Sequence, residues 1–282
     1  MLTKQTITQA VQAALLEDAP WGDQTSELAI SADATLSTRI VAREAGVWAG
    51  GNVAVECFAQ VDPRISVRDL AAEGTRFEAG QVLATVSGPA RGILTAERTA
   101  LNFTQRLSGI ATLTAQYVTA VAGTQARIAD TRKTTPGLRA FEKYAVAIGG
   151  GANHRFGLSD AILVKDNHLV ALGAVDSDTT TAALRQLRQR AGHTVSIVVE
   201  VDRLDQVDAV LGAGVTGILF DNFSLEDLAE GVRRAQGLAV TEASGGVDLT
   251  TVAAIAGTGV DVISVGRLTH GYTALDLGLD VV

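Results

Sequence analysis

Gly217–Gly246 reads GILFDNFSLEDLAEGVRRAQGLAVTEASGG, and the fold is legible in how its pattern changes along the chain. Gly217-Ile218-Leu219-Phe220 is a short apolar run that ends in Asp221. A polar break follows, with Ser224 placed to cap a helix over Ser224–Ala235. Leu238-Ala239-Val240-Thr241 runs apolar again into Glu242, and Ser244-Gly245-Gly246 closes the segment. Strand, helix and strand with short joints is the pattern of a right-handed βαβ unit in a parallel sheet.

The same alternation recurs on both sides. Arg127-Ile128-Ala129 runs into Asp130, Ile162-Leu163-Val164 into Lys165, Ile197-Val198-Val199 into Glu200, and Val260–Ile263 into Ser264. Helices fit Thr180–Ala191 and Leu249–Ala256, the latter with Asp248 as its cap. Strand after strand ends in a polar side chain. In an α/β barrel such ends converge on one face, whereas an open doubly wound sheet spreads them along an edge. The pattern therefore predicts a barrel with its site at the C-terminal strand ends.

The charge distribution indicates what that site takes. The 282-residue chain has a formal charge of -8, yet Asp130–His168 gathers Arg132, Lys133, Arg139, Lys143, Arg155 and Lys165 with His154 and His168. Asp130, Glu142, Asp160 and Asp166 are the acids opposing them. This locally cationic stretch, beside Thr134–Gly137 and Gly149–Gly151, predicts a pocket for a small, multiply anionic ligand. Later strand ends add Glu200 and Asp221, with Glu242 as a further candidate acid. Glu200 and Asp221 suit Mg²⁺, which takes one or two carboxylates plus substrate phosphate oxygens. Ser244–Gly246 and Ser264–Gly266 are small-residue turns that suit phosphate. His154 and His168 are candidates for acid–base work or for orientation by hydrogen bonding. No Ser-His-Asp arrangement or HExxH motif is present.

Composition sets the outer bounds. Hydrophobic residues are 47% and charged ones 19%, as in a globular protein. The acidic balance argues against nonspecific nucleic-acid binding. Cys57 is the single cysteine, which excludes an intrachain disulfide and a cysteine-rich zinc site. The N-terminus lacks the features of a signal peptide, and no apolar run approaches the roughly 18 residues of a membrane span. A cytoplasmic setting is expected. Before the barrel, a helix is expected over Thr8–Glu17, strands over Ala34–Ala42, Ile65–Leu70 and Gln81–Val86, and a long helix over Thr95–Ala122 capped by Thr95. Arg98, near the start of that helix, reads by spacing as an exposed arginine. Glu73–Gly80 weakly resembles the turn of biotinyl and lipoyl carriers, but no Met-Lys-Met box accompanies it.

Longer motifs add a resemblance. Glu97–Asn102, Leu107–Thr112, Asp130–Arg139, Asn153–Arg155, Gly157–Asp160, Lys165–His168, Asp221-Asn222, Glu242–Gly246 and Leu268–His270 together resemble quinolinate phosphoribosyltransferase, a type II phosphoribosyltransferase, nearly end to end. The resemblance implies an open seven-stranded α/β barrel with a smaller N-terminal α/β sandwich domain. The expected partition is 1–108, 109–270, and a tail over 271–282 that returns to the N-terminal domain. It implies phosphoribosyl transfer from phosphoribosyl pyrophosphate to quinolinate with decarboxylation, and Mg²⁺ as cofactor. It further implies a homodimer in which Arg98 serves the neighbouring subunit's site. Carried over by motif, the quinolinate cations are Arg98, Arg132, His154, Arg155 and Lys165, with Lys133 beside them. The acids for phosphoribosyl and Mg²⁺ are Glu200 and Asp221, and Lys133, Glu200 and Asp221 are the expected catalytic residues. The phosphate turns are Ser244, Gly245 and Gly246, and Ser264, Val265 and Gly266. The chain departs from the family at Val198, where an acid is usual, at Ala147, where an arginine is usual, and at Ile148, often a cysteine. Two other readings are a phosphoribosyltransferase of the molybdate-transport-associated type acting on another carboxylated heterocycle, and a non-catalytic anion-binding barrel.

Overall fold

A computed structural model describes residues 2–282. Packing divides them into two compact units. One comprises residues up to Ala115, Thr135–Gly150 and Gly271–Val282; the other comprises Gln116–Thr134 and Gly151–His270.

The first unit is built on a four-stranded antiparallel sheet in the order β12 (Leu277–Val281), β1 (Thr35–Ala42), β5 (Val82–Pro89), β3 (Ser66–Arg68). In β1, Thr38, Ile40 and Ala42 are buried in alternation, so one face packs on the core. Helices α1 (Lys4–Asp18), α2 (Gln24–Ala29) and α3 (Gly51–Val61) belong here, with α2 capped by Asp23. The Glu73 carboxylate accepts the N–H groups of Gly50 and Gly51 at 2.9 and 2.7 Å, placing an acid at the N-terminus of α3. The Glu73–Gly80 stretch forms no hairpin of its own: its short strand β4 (Arg76–Phe77) pairs with β2 (Gly46–Val47).

The long helix α4 spans Ala90–Ala120, beginning five residues before the expected cap. The Thr95 hydroxyl donates to the Arg91 carbonyl and to Asp23 at 2.9 and 3.0 Å, so Thr95 is interior to the helix. Helix α5 (Arg139–Ile148) also lies in this unit. The fully buried Glu142 carboxylate accepts the Thr135 N–H at 3.0 Å and the Arg106 guanidinium at 2.5 Å. Arg106 in turn donates to the Thr135 hydroxyl and lies 5.2 Å over the Tyr272 ring. The cationic stretch read from the sequence is therefore divided, with Arg139 and Lys143 on the α5 side.

The second unit holds a parallel sheet in the order β6 (Arg127–Ala129), β11 (Val262–Ser264), β10 (Val240–Ser244), β9 (Gly217–Asp221), β8 (Ile197–Val201), β7 (Ile162–Val164). Ala152 adds a single parallel bridge to Ala129 beyond β6. The result is an open barrel of six strands, with one bridging residue where a seventh strand was expected. The cause is local: the His154 N–H and the Asn153 amide turn to the Asp130 carboxylate, at 2.8 and 2.7 Å, instead of extending a ladder. In β9, Gly217–Phe220 are buried, as expected of a strand covered on both faces.

Helices α6 (Asp166–Ala171), α7 (Ser177–Arg190), α8 (Val207–Gly212), α9 (Leu225–Ala235), α10 (Val252–Ala256) and α11 (Arg267–His270) complete the unit. Ser224 caps α9 by accepting the Asp227 N–H at 3.1 Å, and α9 buries Leu228, Gly231 and Ala235. Gly231 is required there, because a Cβ would stand 2.5 Å from the Phe220 ring. Asp248 holds the turn before α10 through the N–H groups of Thr250 and Thr251, and Thr251 occupies the cap position itself.

Candidate active site

At the C-terminal strand ends of the second unit lies a cavity of about 920 Å³. Its lining takes Arg132 and Lys133 from the loop after β6, His154 and Arg155 from the segment after the Ala152 bridge, and Lys165 from the end of β7. Glu200, Asp221, Ser244 and Ser264 come from the ends of β8 to β11. Parallel register levels these groups, since Asp221 is paired with Ser244 across β9 and β10.

One wall is cationic. Asp130, fully buried, fixes the Asn153–Arg155 segment from the end of β6. His154 Nδ1 accepts the Arg155 N–H at 2.8 Å, and Nε2 stands 3.4 Å from the Glu242 carboxylate. Arg155 donates Nη1 to the Ala161 carbonyl at 3.0 Å. Burial, and then the neighbouring Arg132 charge, push the Arg155 guanidinium below its usual range. The Nε–H of both arginines is buried without a hydrogen-bond partner among the described residues. Two like charges with buried open donors are stabilised by an anion that accepts from both. Asp130→Ala should therefore release the wall: about 2–3 kcal/mol of stability lost in urea unfolding, with a larger proportional loss of substrate affinity.

The ends of β8 to β11 carry the acids and the turns. Lys165 Nζ donates to Glu200 Oε2 at 2.8 Å, joining β7 to β8. His168 does not line the cavity; its Nδ1 accepts the Lys165 N–H at 2.9 Å, an orienting bond at the start of α6. Asp221 Oδ2 accepts from the Asn222 side chain at 3.0 Å, and Asn222 has a left-handed backbone with φ 56°. Gly245, with φ 93°, packs so tightly on Asn222 that a Cβ would lie 2.2 Å from its Oδ1. Glu200 and Asp221 offer hard oxygen donors at adjacent strand ends. Among the described residues no cluster of three or more His, Cys, Asp or Glu side chains could enclose a metal. That donor set fits Mg²⁺ held jointly with substrate oxygens and water, not an all-protein metal cage.

Most expected site residues meet here: Arg132, Lys133, His154, Arg155, Lys165, Glu200, Asp221, Ser244, Gly245, Gly246, Ser264 and Gly266 all line the cavity. Val265 does not. Its side chain is 1% exposed and its N–H donates to the Ala129 carbonyl at 2.8 Å, extending the β11–β6 ladder. Arg98 is exposed on α4 in the other unit. Glu242, read from the sequence only as a further acid, lines the cavity and faces His154. Thr131, Asn222, Asp248, Arg267 and His270 also line it and were given no site role by the sequence. Thr131, Asn222 and His270 nevertheless lie within the motifs quoted above, and Arg267 directly follows the turn of Ser264–Gly266.

Comparison with known proteins places these residues in a wider set. Residues 23–108 match the model of the quinolinate phosphoribosyl transferase N-terminal domain, and residues 110–280 match that of the C-terminal domain. Nicotinate-nucleotide pyrophosphorylase (carboxylating) of Mycobacterium leprae is 46% identical over 279 residues, covering 96% of this chain and 95% of that protein. The probable enzyme of the same name from Bacillus subtilis is 42% identical over 266 residues, covering 94% and 90%. Among solved structures, the nicotinate-nucleotide pyrophosphorylase of Francisella tularensis superposes with a TM-score of 0.93 at 36% identity, over 100% of this chain and 98% of that one.

Proposed function

Because the chain belongs to the quinolinate phosphoribosyltransferase family, we propose that it transfers the phosphoribosyl group of phosphoribosyl pyrophosphate to quinolinate with loss of CO₂. The products are nicotinate mononucleotide, pyrophosphate and CO₂, a step of NAD biosynthesis. The observation that ties this activity to the cavity is the Arg132–Arg155 pair, with its buried, unpartnered Nε–H groups and its mutual repulsion. Quinolinate, a planar dicarboxylate, supplies two anions at the spacing of one ring edge, which suits paired guanidiniums.

In this reading Arg132, His154, Arg155 and Lys165 hold the dicarboxylate. Ser244, Gly245, Gly246, Ser264 and Gly266 take the sugar phosphate. Glu200 and Asp221 hold Mg²⁺, which when bound neutralises the pyrophosphate. The bond from ribose C1 to pyrophosphate breaks with its electron pair going to the leaving group, and the ring nitrogen bonds to C1 from the opposite face. Glu200 and Asp221 face the positive charge that develops on the ribose, and Lys133 faces the anionic oxygens. The protein contributes position and charge more than covalent chemistry. The pyridinium so formed accepts the electron pair of the C2–carboxylate bond as CO₂ departs, and C2 then takes a proton from solvent.

Of the departures from the family pattern, Val198 is not among the cavity-lining residues but shares a face of β8 with Glu200, and Ala147 is exposed on α5. The exposed Arg98 we assign to the cavity of a second subunit in a homodimer. Among the described residues no helix is long and apolar enough to cross a membrane, and we assign the activity to the cytoplasm. Incubation with phosphoribosyl pyrophosphate, Mg²⁺ and quinolinate labelled in the 2-carboxylate tests the reading. One labelled CO₂ should appear per pyrophosphate, and pyrophosphate without labelled CO₂ would refute it.

A further inference from the structure

Thr269 is 1% exposed, and its hydroxyl donates to the Lys133 carbonyl at 2.6 Å. Within its own turn the same hydroxyl reaches the Gly266 carbonyl only at 3.4 Å, so the short bond is the one to Lys133. Two more bonds hold this part of the loop: the Lys133 N–H to Thr131 Oγ1 at 3.0 Å, and the Thr134 N–H to the Arg132 carbonyl at 2.9 Å. The lysine stem is confined as well. A Cβ on Gly266 would stand 3.0 Å from Lys133 Cδ, 3.2 Å from His270 Cε1 and 3.7 Å from Lys133 Nζ. A side chain that replaced this glycine would crowd the stem, which would have to give by a few tenths of an ångström.

A long, flexible cation gives up conformational freedom when it grips an anion, and a support that holds its backbone and stem beforehand lowers that cost. The support here is the turn of Ser264 and Gly266, which follows β11, the strand paired with β6, and to which the sugar phosphate has been assigned above. We infer that Thr269 and Gly266 are positioning residues for Lys133, holding its ammonium on the sugar-phosphate side of the site and not among the dicarboxylate cations. The inference rests on the proposed function and adds Thr269, which acts through Lys133, and a second role for Gly266.

A thermodynamic cycle on the full-length protein tests it, with Mg²⁺ present and phosphoribosyl pyrophosphate affinity read by calorimetry. Thr269→Val and Lys133→Met should each weaken binding about tenfold, the scale of one charge-assisted hydrogen bond. The double variant should bind no more weakly than Lys133→Met alone. Thr269→Ser should stay within about threefold of the parent protein, and quinolinate affinity should change by less than about threefold in Thr269→Val. Losses that add in the double variant would overturn the inference, as would a larger effect on quinolinate. If Thr269→Val does not fold, Thr269→Ala replaces it in the same cycle with the same expected non-additivity. A parent protein that turns over quinolinate while the cycle is additive sinks this inference alone; one that does not turn it over sinks the functional reading instead.

Discussion

Asp221→Asn and Glu200→Gln are each expected to lower kcat/KM by on the order of a hundredfold, with the loss falling on phosphoribosyl pyrophosphate and sparing quinolinate. Both amides keep the shape of the parent side chain and remove its charge. Asp221 stands at the end of β9, level with Ser244 of β10, so it faces the groups assigned to the sugar phosphate. Among the described residues, its carboxylate accepts from one side-chain donor, the neighbouring Asn222 amide. Nothing in that arrangement ties it to the dicarboxylate. Glu200 is different in one respect, because its Oε2 accepts from Lys165. Removing that charge frees a cation on the quinolinate side, so Glu200→Gln should leave quinolinate affinity equal or slightly improved. Initial-rate measurements with each substrate varied in turn give the answer, and equal losses for both substrates would argue against the assignment.

Mixing Arg98→Ala with Lys165→Ala subunits should restore activity that neither variant shows alone. Arg98 is exposed on α4, whereas Lys165 lines the cavity of the second unit. If Arg98 completes a partner's cavity, a mixed dimer holds one site with both native residues and one with neither. Random reassortment makes half the dimers mixed, so roughly a quarter of the parent activity per subunit should return. Arg98→Ala subunits mixed with one another give the baseline. A mixture no more active than that baseline would place Arg98 outside the partner's site.

How much of this was visible in the chain differs from element to element. The βαβ grammar of Gly217–Gly246 translated directly at β9, whose apolar run ends at Asp221, paired in register with Ser244. The next run was read two residues early: β10 spans Val240–Ser244, so Glu242, read as the strand end, lies inside it. The Ser224 cap was legible because capping is a local interaction over three residues. The start of α4 was not. Thr95 has the chemistry of a cap, but the helix continues directly from Pro89 at the end of β5, and the threonine hydroxyl returns to a carbonyl one turn back.

The site shows the same division. Cations at successive strand ends were readable as a set, because parallel topology brings strand ends together whatever their separation in sequence. Membership of Arg139 and Lys143 in that set was not readable. They sit on α5, whose buried Glu142 is engaged by Arg106 and Thr135 in the first unit, and sequence adjacency to Arg132 carries no information on that packing. Val265 failed for a backbone reason, since its N–H is taken by Ala129. The pairing of His154 with Glu242 joins two distant segments through the barrel interior, and only the fold could reveal it.

The central claim is that this cavity selects a pyridine carrying two carboxylates. The most direct measurement compares kcat/KM for quinolinate with that for nicotinate under identical phosphoribosyl pyrophosphate and Mg²⁺. The Arg132–Arg155 pair, with two buried open donors, predicts a preference for quinolinate of at least about a thousandfold, because nicotinate lacks the second carboxylate and leaves a half-buried guanidinium unmatched. Comparable values for the two acids, or a preference for nicotinate, would contradict the account.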